Sequence, residues 1–390
     1  MVPNGWEKSD LTHLITIKHG FAFKSEFYSD KGQYVLLTPG SFYETGGFRD
    51  QGSKTKYYIG DIPDGYILSQ GDMLLAMTEQ AEGLLGSALF VPENNRYLHN
   101  QRLGLVQILN QEKVCKDFLY LFFNSPSIRK QITEQSTGTK VKHTSPDRLC
   151  SVIGLIPPLK EQQKIAEIIS SWDQAISATE KLLENSQQQK KALMQQLLTG
   201  KKRLLDENGV TFSEEWQLGH LVDIAKISKG KALSSKDLEI GSYPVIAGGK
   251  TSPYTHSEYT HENVITVSAS GAYAGYVAFY PYKIWASDCS VVSNKIGSDV
   301  NFIYHLLVSM QTIIYSLQSG GAQPHIYPKD IEGLKILIPP LVEQKKIASV
   351  LSLADQEIET LQKKLDRLKQ EKKALMQQLL TGKKRVKVAA

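Results

Sequence analysis

The chain has little with which to carry out covalent chemistry alone. Its three cysteines, Cys115, Cys150 and Cys289, lie far apart in 390 residues. No CxxC pair or zinc-type spacing joins them, so they are expected to be unpaired, buried thiols of a reducing compartment. No apolar run approaches the roughly 18 residues of a membrane span, and no leader follows Met1, so a cytoplasmic location is expected. There is no GxxxxGK[ST] phosphate loop. Pro-Pro occurs only inside Ile-Pro-Pro-Leu, so the Asn/Asp-Pro-Pro-aromatic sequence that amino-methyltransferases use at a flipped base is missing. Asp147 follows Pro146, but no D/E-x-K follows it at a suitable distance to complete a nuclease carboxylate–lysine set. The stretch from Ser268 to Gly275 is glycine-rich without leading into a helix. His256 and His261 sit in a polar, tyrosine-rich loop that reads as solvated rather than metal-binding. Arginine is absent from residues 215–337, whereas residues 1–155 contain five.

What is present is a repeat. Ile156–Leu159 returns as Ile338–Leu341, and the 14 residues Lys190–Arg203 return unchanged as Lys372–Arg385. The offset is 182 residues without a gap, and about 30 of 48 aligned positions are identical. Each copy has Pro-Pro before it, Gly200 or Gly382 near its end and neither residue between, the punctuation of a single long helix. Apolar positions advance by alternating fours and threes, the spacing of a coiled-coil seam. In the first copy the seam is Ile165, Ile169, Trp172, Ile176, Thr179, Leu183, Ser186, Lys190, Leu193 and Leu197. In the second it is Ile347, Leu351, Ala354, Ile358, Leu361, Leu365, Leu368, Lys372, Leu375 and Leu379. Connectivity makes an antiparallel pair the expected arrangement. The first helix carries the chain from one domain to the next, and the second must return along it.

The expected organisation is α+β. A first domain occupies residues 1–155, the central helix 156–203, a polar linker 204–214, a second domain 215–337, and the C-terminal helix and tail 338–390. Strands are expected at Tyr34–Leu37, Tyr57–Ile59, Met73–Met77, Ser87–Val91 and Leu103–Leu109, and helices near Asp117–Asn124 and Ser127–Gln135. In the second domain strands are expected at Tyr243–Ala247, Asn263–Ser268, Gly275–Tyr280 and Ser290–Asn294, with helix over Asn301–Leu317. Both domains should close with a polar loop and one strand, at about Leu149–Ile156 and Ile331–Ile338. The second domain opens like the first, with Trp216, Leu221 and Gly230 matching Trp6, Leu11 and Gly20 at an offset of 210. The domains are thus duplicates that differ in loop length. The first has 16 basic and 16 acidic residues and the second 9 and 10. The excess positive charge lies on the helices, eight basic to five acidic in residues 156–203 and eleven to six in residues 338–385.

Ile-Pro-Pro-Leu followed by Glu161-Gln-Gln-Lys-Ile-Ala166, the tail Gln195-Gln-Leu-Leu-Thr-Gly200, their second copies, and the loop Ser136-Thr-Gly-Thr-Lys140 resemble the specificity subunits of type I restriction–modification enzymes. The resemblance covers nearly the whole chain, with Ser319-Gly-Gly-Ala-Gln323 a looser version of the loop. It implies two duplicated α/β target recognition domains joined by two long antiparallel coiled-coil helices, with pseudo-two-fold symmetry. Each domain would read one half of a bipartite double-stranded DNA target. The helices would set the spacer and dock two modification subunits, with restriction subunits joining the assembled complex. S-adenosylmethionine, ATP and Mg would belong to those partners, with no cofactor in this chain. A coiled-coil scaffold bearing two carbohydrate- or peptide-binding domains, and an enzyme with its site between the domains, are the other readings of the same pattern.

Polar loop residues are the candidates for DNA contact, since base edges carry the sequence information and phosphates most of the affinity. In the first domain these are Arg49, Gln51, Lys54, Lys56, Thr78, Glu79, Gln80, Asn100, Gln101, Arg102, Lys140, Lys142 and His143. In the second they are Lys250, Tyr254, His256, Ser268, Ser270, Tyr273, Lys283, His325 and Tyr327. Without a catalytic set, the purified chain free of partners is expected to show no nuclease, methyltransferase or ATPase activity. Transfer of labelled methyl groups from S-adenosylmethionine to duplex DNA is the measurement, and adenine methylation by this chain alone would refute the expectation.

Overall fold

A computed structural model describes residues 2–79, 82–138, 141–234, 236–249, 254–321 and 323–388. The chain divides into two compact units: residues 1–177 with 366–390, and residues 178–365. Among the described residues no helix is long and apolar enough to cross a membrane.

The first unit is built on an antiparallel sheet of Ile15–His19, Leu103–Ile108, Met73–Ala76 and Ala88–Phe90, in that order. The second repeats it with Ala225–Lys229, Cys289–Asn294, Val264–Ser268 and Val277–Tyr280. The central strands Met73–Ala76 and Val264–Ser268 are buried along their whole length, the second with polar Thr266 and Ser268 buried among its apolar residues. Helices Lys116–Phe123 and Val300–Ser309 supply Phe118, Phe122, Phe302 and Leu306 to the two cores. A smaller sheet carries a parallel pair in each unit, Tyr34–Leu36 beside Tyr97–Leu98 and Tyr243–Ile246 beside Trp285–Ala286. A third element ties the ends of each domain together: Glu7–Ser9 pairs with Gly154–Ile156, and Gln217–His220 with Lys335–Ile338.

The expected closing strands are shorter than read. Short helices Pro146–Cys150 and Pro328–Glu332 take their first two residues, and strand begins at Gly154 and Lys335. Pro at the first helical position and Ser145 accepting from the Arg148 amide at 3.4 Å start the first of these helices. Strands Ile15–His19 and Ala225–Lys229 were not anticipated, because their apolar residues alternate over only five positions.

Leu159–Leu197 and Leu341–Leu380 are uninterrupted helices of 39 and 40 residues. Each ends at a glycine with left-handed φ, +69° at Gly200 and +66° at Gly382. The amides of Lys202 and Lys384 then reach back to the carbonyls of Gln196 and Gln378, closing the helix as glycine C-caps do. The seam positions are buried or half-buried in both copies, polar Thr179 and Ser186 included. The two helices run antiparallel in each unit, and the contacts are reciprocal under the 182-residue repeat. In the first unit Asp173 meets Lys372, and in the second Asp355 meets Lys190. Arg203 holds Glu343 with two 2.7 Å bonds, and the Trp216 indole N–H adds a third at 2.8 Å. Arg385 and Trp6 hold Glu161 in the same way. Each arginine lies beside the ring of its tryptophan, at 5.4 and 5.5 Å.

Hydrogen bonds from Arg385, which outweigh the cost of burial, hold the Glu161 carboxyl below its ordinary value, with Trp6 adding to the effect. A group with a depressed folded pKa contributes stability that is fully present above its unfolded pKa and is lost as pH falls through the folded value. Glu161→Ala is therefore expected to destabilise the first unit by about 1–3 kcal/mol at neutral pH. Denaturant melts should show the gap from wild type closing only in acid, below the ordinary glutamate range. A gap unchanged between pH 7 and pH 3 would contradict this.

Candidate nucleic-acid interface

Three chain segments meet at one end of each four-stranded sheet, and the backbone bonds that join them are the same in both units. The Met77 amide donates to the Arg102 carbonyl and the Ala269 amide to the Asp288 carbonyl, at 2.9 and 3.1 Å. Met77 and Ala269 in turn accept from the amides of Thr144 and Ile326. The amides of Glu79 and Gly271 donate to the carbonyls of Lys142 and Pro324. Beyond this edge a loop closes on itself in each unit. Thr137 exchanges two backbone bonds with His143, and Ser319 exchanges two with His325. Gly138 and Gly320 turn the loop with φ of +102° and +94°, which explains glycine at both places. The loops therefore align at an offset of 182, with Thr137 matching Ser319. Matching Ser136 to Ser319, the register of the sequence reading, is one residue out.

The edge is fixed from beneath by a close backbone approach. A Cβ at Gly20 would lie 2.0 Å from the Asn100 carbonyl oxygen, and one at Gly230 2.3 Å from that of Ser287. In the first unit the buried His99 ring donates from Nε2 to the Leu103 carbonyl at 2.9 Å. Burial pushes its pKa down to about 4, so the ring is neutral at neutral pH.

The candidates separate by what their side chains touch. Arg102, Gln101 and His143 are exposed on the first edge, with half-buried Glu79 and Lys142 in an ion pair beside them. Thr78 and Asn100 belong to the same edge but are buried. Thr78 Oγ1 meets His143 Nδ1 at 3.2 Å, and Asn100 Oδ1 accepts from the Arg102 amide. Both side chains are buried and hydrogen-bonded to the loops, which they help to shape. Arg49, Gln51, Lys54 and Lys56 form a separate group. Arg49 is held by Gly40 and Glu44, and Gln51 by Thr38 and Ser41, while Lys54 and Lys56 are exposed.

In the second unit Ser270, Tyr273, His325 and Tyr327 gather at the equivalent edge, where the His325 and Tyr327 rings stack with centroids 6.2 Å apart. Ser268 is buried there, one residue inside the sheet. Tyr254 and Lys283 lie apart, Lys283 Nζ sitting 4.5 Å above the Tyr259 ring. His256 is not in a solvated loop. It occupies the short strand Thr255–His256, its ring 4.2 Å from that of Trp285, with Nε2 on the Asp237 carbonyl and Nδ1 accepting from the Glu258 amide. Both ring nitrogens are thus engaged within the unit. Gln80, Lys140 and Lys250 lie outside the described residues.

Sequence reasoning missed Asp288, Lys229 and Lys231. Lys229 lines the cleft with Asp288 and His325, its Nζ 5.7 Å from the Tyr327 ring, and Lys231 Nζ sits 4.8 Å from the Trp285 ring. The available signal was Gly230, already matched to Gly20, with a lysine on either side.

Residues 3–186 and 213–370 match the family model described as type I restriction modification DNA specificity domain. A putative type I restriction enzyme MjaX specificity subunit from Methanocaldococcus jannaschii is 28% identical, covering 99% of this chain and 95% of its own. The MjaVIII specificity subunit of the same organism is 27% identical over 72% of this chain and 73% of its own. A crystal structure of the type I restriction–modification S subunit from M. genitalium superposes with a TM-score of 0.68 at 17% identity, covering 97% of this chain and 98% of that one. At that identity the likeness speaks for the fold.

Gly20→Ala and Gly230→Ala should each push a backbone carbonyl out of place and destabilise the chain by about 1–3 kcal/mol. Gly333→Ala, with no atom within 4 Å of the new methyl, should change stability by less than about 0.5 kcal/mol. Urea melts of the three variants would decide it, and equal midpoints would show that the close approach does not constrain the edge.

Proposed function

The chain belongs to the type I restriction modification DNA specificity domain family, and from that premise we propose that each unit reads one half of a bipartite DNA target. It is a specificity subunit and not the catalytic one. The observation that carries the two-headed reading is the repetition of one loop-bearing sheet edge, bond for bond, in two units whose exposed side chains differ. A common frame with different side chains suits two recognition elements with different sequences to read. Net-neutral domains supply little of the counterion-release affinity that DNA binding needs, so partners that clamp the duplex provide the rest.

In this reading the antiparallel helices dock two modification subunits. The reciprocal clamps and ion pairs give each partner the same surface, which is what two identical partners require. S-adenosylmethionine, ATP and Mg act in the modification and restriction subunits, in the cytoplasm. Co-expression with the modification subunit, co-purification, and genome-wide sequencing of methylated DNA test the assignment. A methylated motif without two separated halves would sink it.

The helices also set the distance between the halves. Removing Ser177–Leu183 together with Glu359–Leu365 takes one heptad from each, shortening each by about 10.5 Å while turning its face by about 20°, so the seam persists. Along DNA that length is about three base pairs, which also rotate the duplex by roughly 100°. The expected outcome is the same half-sites with a spacer shorter by about three, or loss of methylation because one head no longer faces its groove. An unchanged spacer at full methylation, with the shortening confirmed by mass, would show that the helices do not measure the distance.

A further inference from the structure

The shared backbone bonds place Arg102 of the first unit and Asp288 of the second at the same position. Each gives its carbonyl to the residue that follows the central strand, Met77 or Ala269. Each immediately precedes the strand partner that closes the ladder, Leu103 opposite Ala76 and Cys289 opposite Ser268. Both side chains are exposed at the edge of the sheet. One unit thus presents a five-donor cation and the other an acceptor-only anion from an identical frame.

The surroundings differ to match. Among the described residues the Arg102 guanidinium has no hydrogen bond or ion pair, so its donors face solvent. The Asp288 carboxylate is oriented by the Ser270 hydroxyl, whose counterpart in the first unit, Thr78, is turned to His143 instead. Lys229, whose counterpart is His19, lines the same cleft and offsets the cost of bringing a carboxylate to a polyanion. A solvating role would not require the hydroxyl that fixes this carboxylate.

We propose that Arg102 and Asp288 are the paired specificity determinants of the two half-sites. Arg102 reads a guanine through its O6 and N7 acceptors. Asp288 accepts from an exocyclic amino group in the major groove, that of cytosine or adenine. The inference rests on the reading of the two units as DNA-recognition heads. It also accounts for the lack of arginine in the second: there the frame position is given to an acceptor, and the target half it selects is defined by an amino group.

The test uses the chain assembled with its modification partner and reads the methylated motif by single-molecule sequencing. Arg102→Ala should relax one guanine-containing base pair in one half by about ten-fold or more, leaving the other half intact. Asp288→Asn, equal in size but able to donate, should relax or re-specify one cytosine- or adenine-containing position in the other half only. Unchanged motifs with full methylation, or relaxation of both halves by one substitution, would overturn the proposal while the two-headed reading stands. A wild-type complex with no bipartite motif would instead remove the reading beneath it. If a variant modifies no DNA, selection of bound duplexes from a randomised pool with the same complex decides. Weaker binding with unaltered base preference would show that the residue supplies affinity and not recognition.

Discussion

A buried carboxylate in the first turn of each long helix governs how the rest of the chain is arranged. Glu161 and Glu343 are nearly inaccessible, and an unpaired charge there would cost several kcal/mol. Each is satisfied by an arginine just past the end of the other helix and by a tryptophan at the start of a domain. One interaction therefore fixes three things. It sets the antiparallel direction of the helices, their register, and the point at which each domain joins them. The neighbouring glutamines extend this control. Gln162 accepts from the amide that opens helix Lys116–Phe123, and Gln344 from the amide that opens helix Val300–Ser309. The helix pair is thereby coupled to the core of the sheet that carries the loop-bearing edge.

Duplication of such a frame separates what must stay from what can vary. Backbone bonds, glycines and core positions recur because they hold the edge in place. Side chains on the edge are free to differ, since replacing one leaves the hydrogen-bonded frame untouched. Arg102 against Asp288, and the Glu79–Lys142 ion pair against Gly271 and Pro324, show how far that freedom extends within one chain.

Much of the fold was legible because helices advertise themselves locally. Five heptads without Pro or Gly, a terminal glycine and an exact 182-residue repeat define the long helices from sequence alone. Six of the eight main-sheet strands also emerged, each within about two residues. The errors came where several weak signals compete over short segments. The short helices that Pro146 and Pro328 start run two residues into stretches whose apolar content suggested strand. His256 looked solvated among polar neighbours, yet its ring fills a gap against Trp285, which follows 29 residues later.

The sequence by itself determined the duplication, the seam, the excess of positive charge on the helices and the membership of a known family. Each of these is a periodicity or a composition and needs no contact to be read. Only the tertiary structure decided which loop residues share a surface and which are buried supports. Loop lengths differ between the units, so linear alignment cannot carry Arg102 onto Asp288. Their equivalence exists in the hydrogen bonds between strands distant in sequence. Hydrogen bonding across a sheet is where residues far apart in the chain acquire a common position, and no local pattern encodes it.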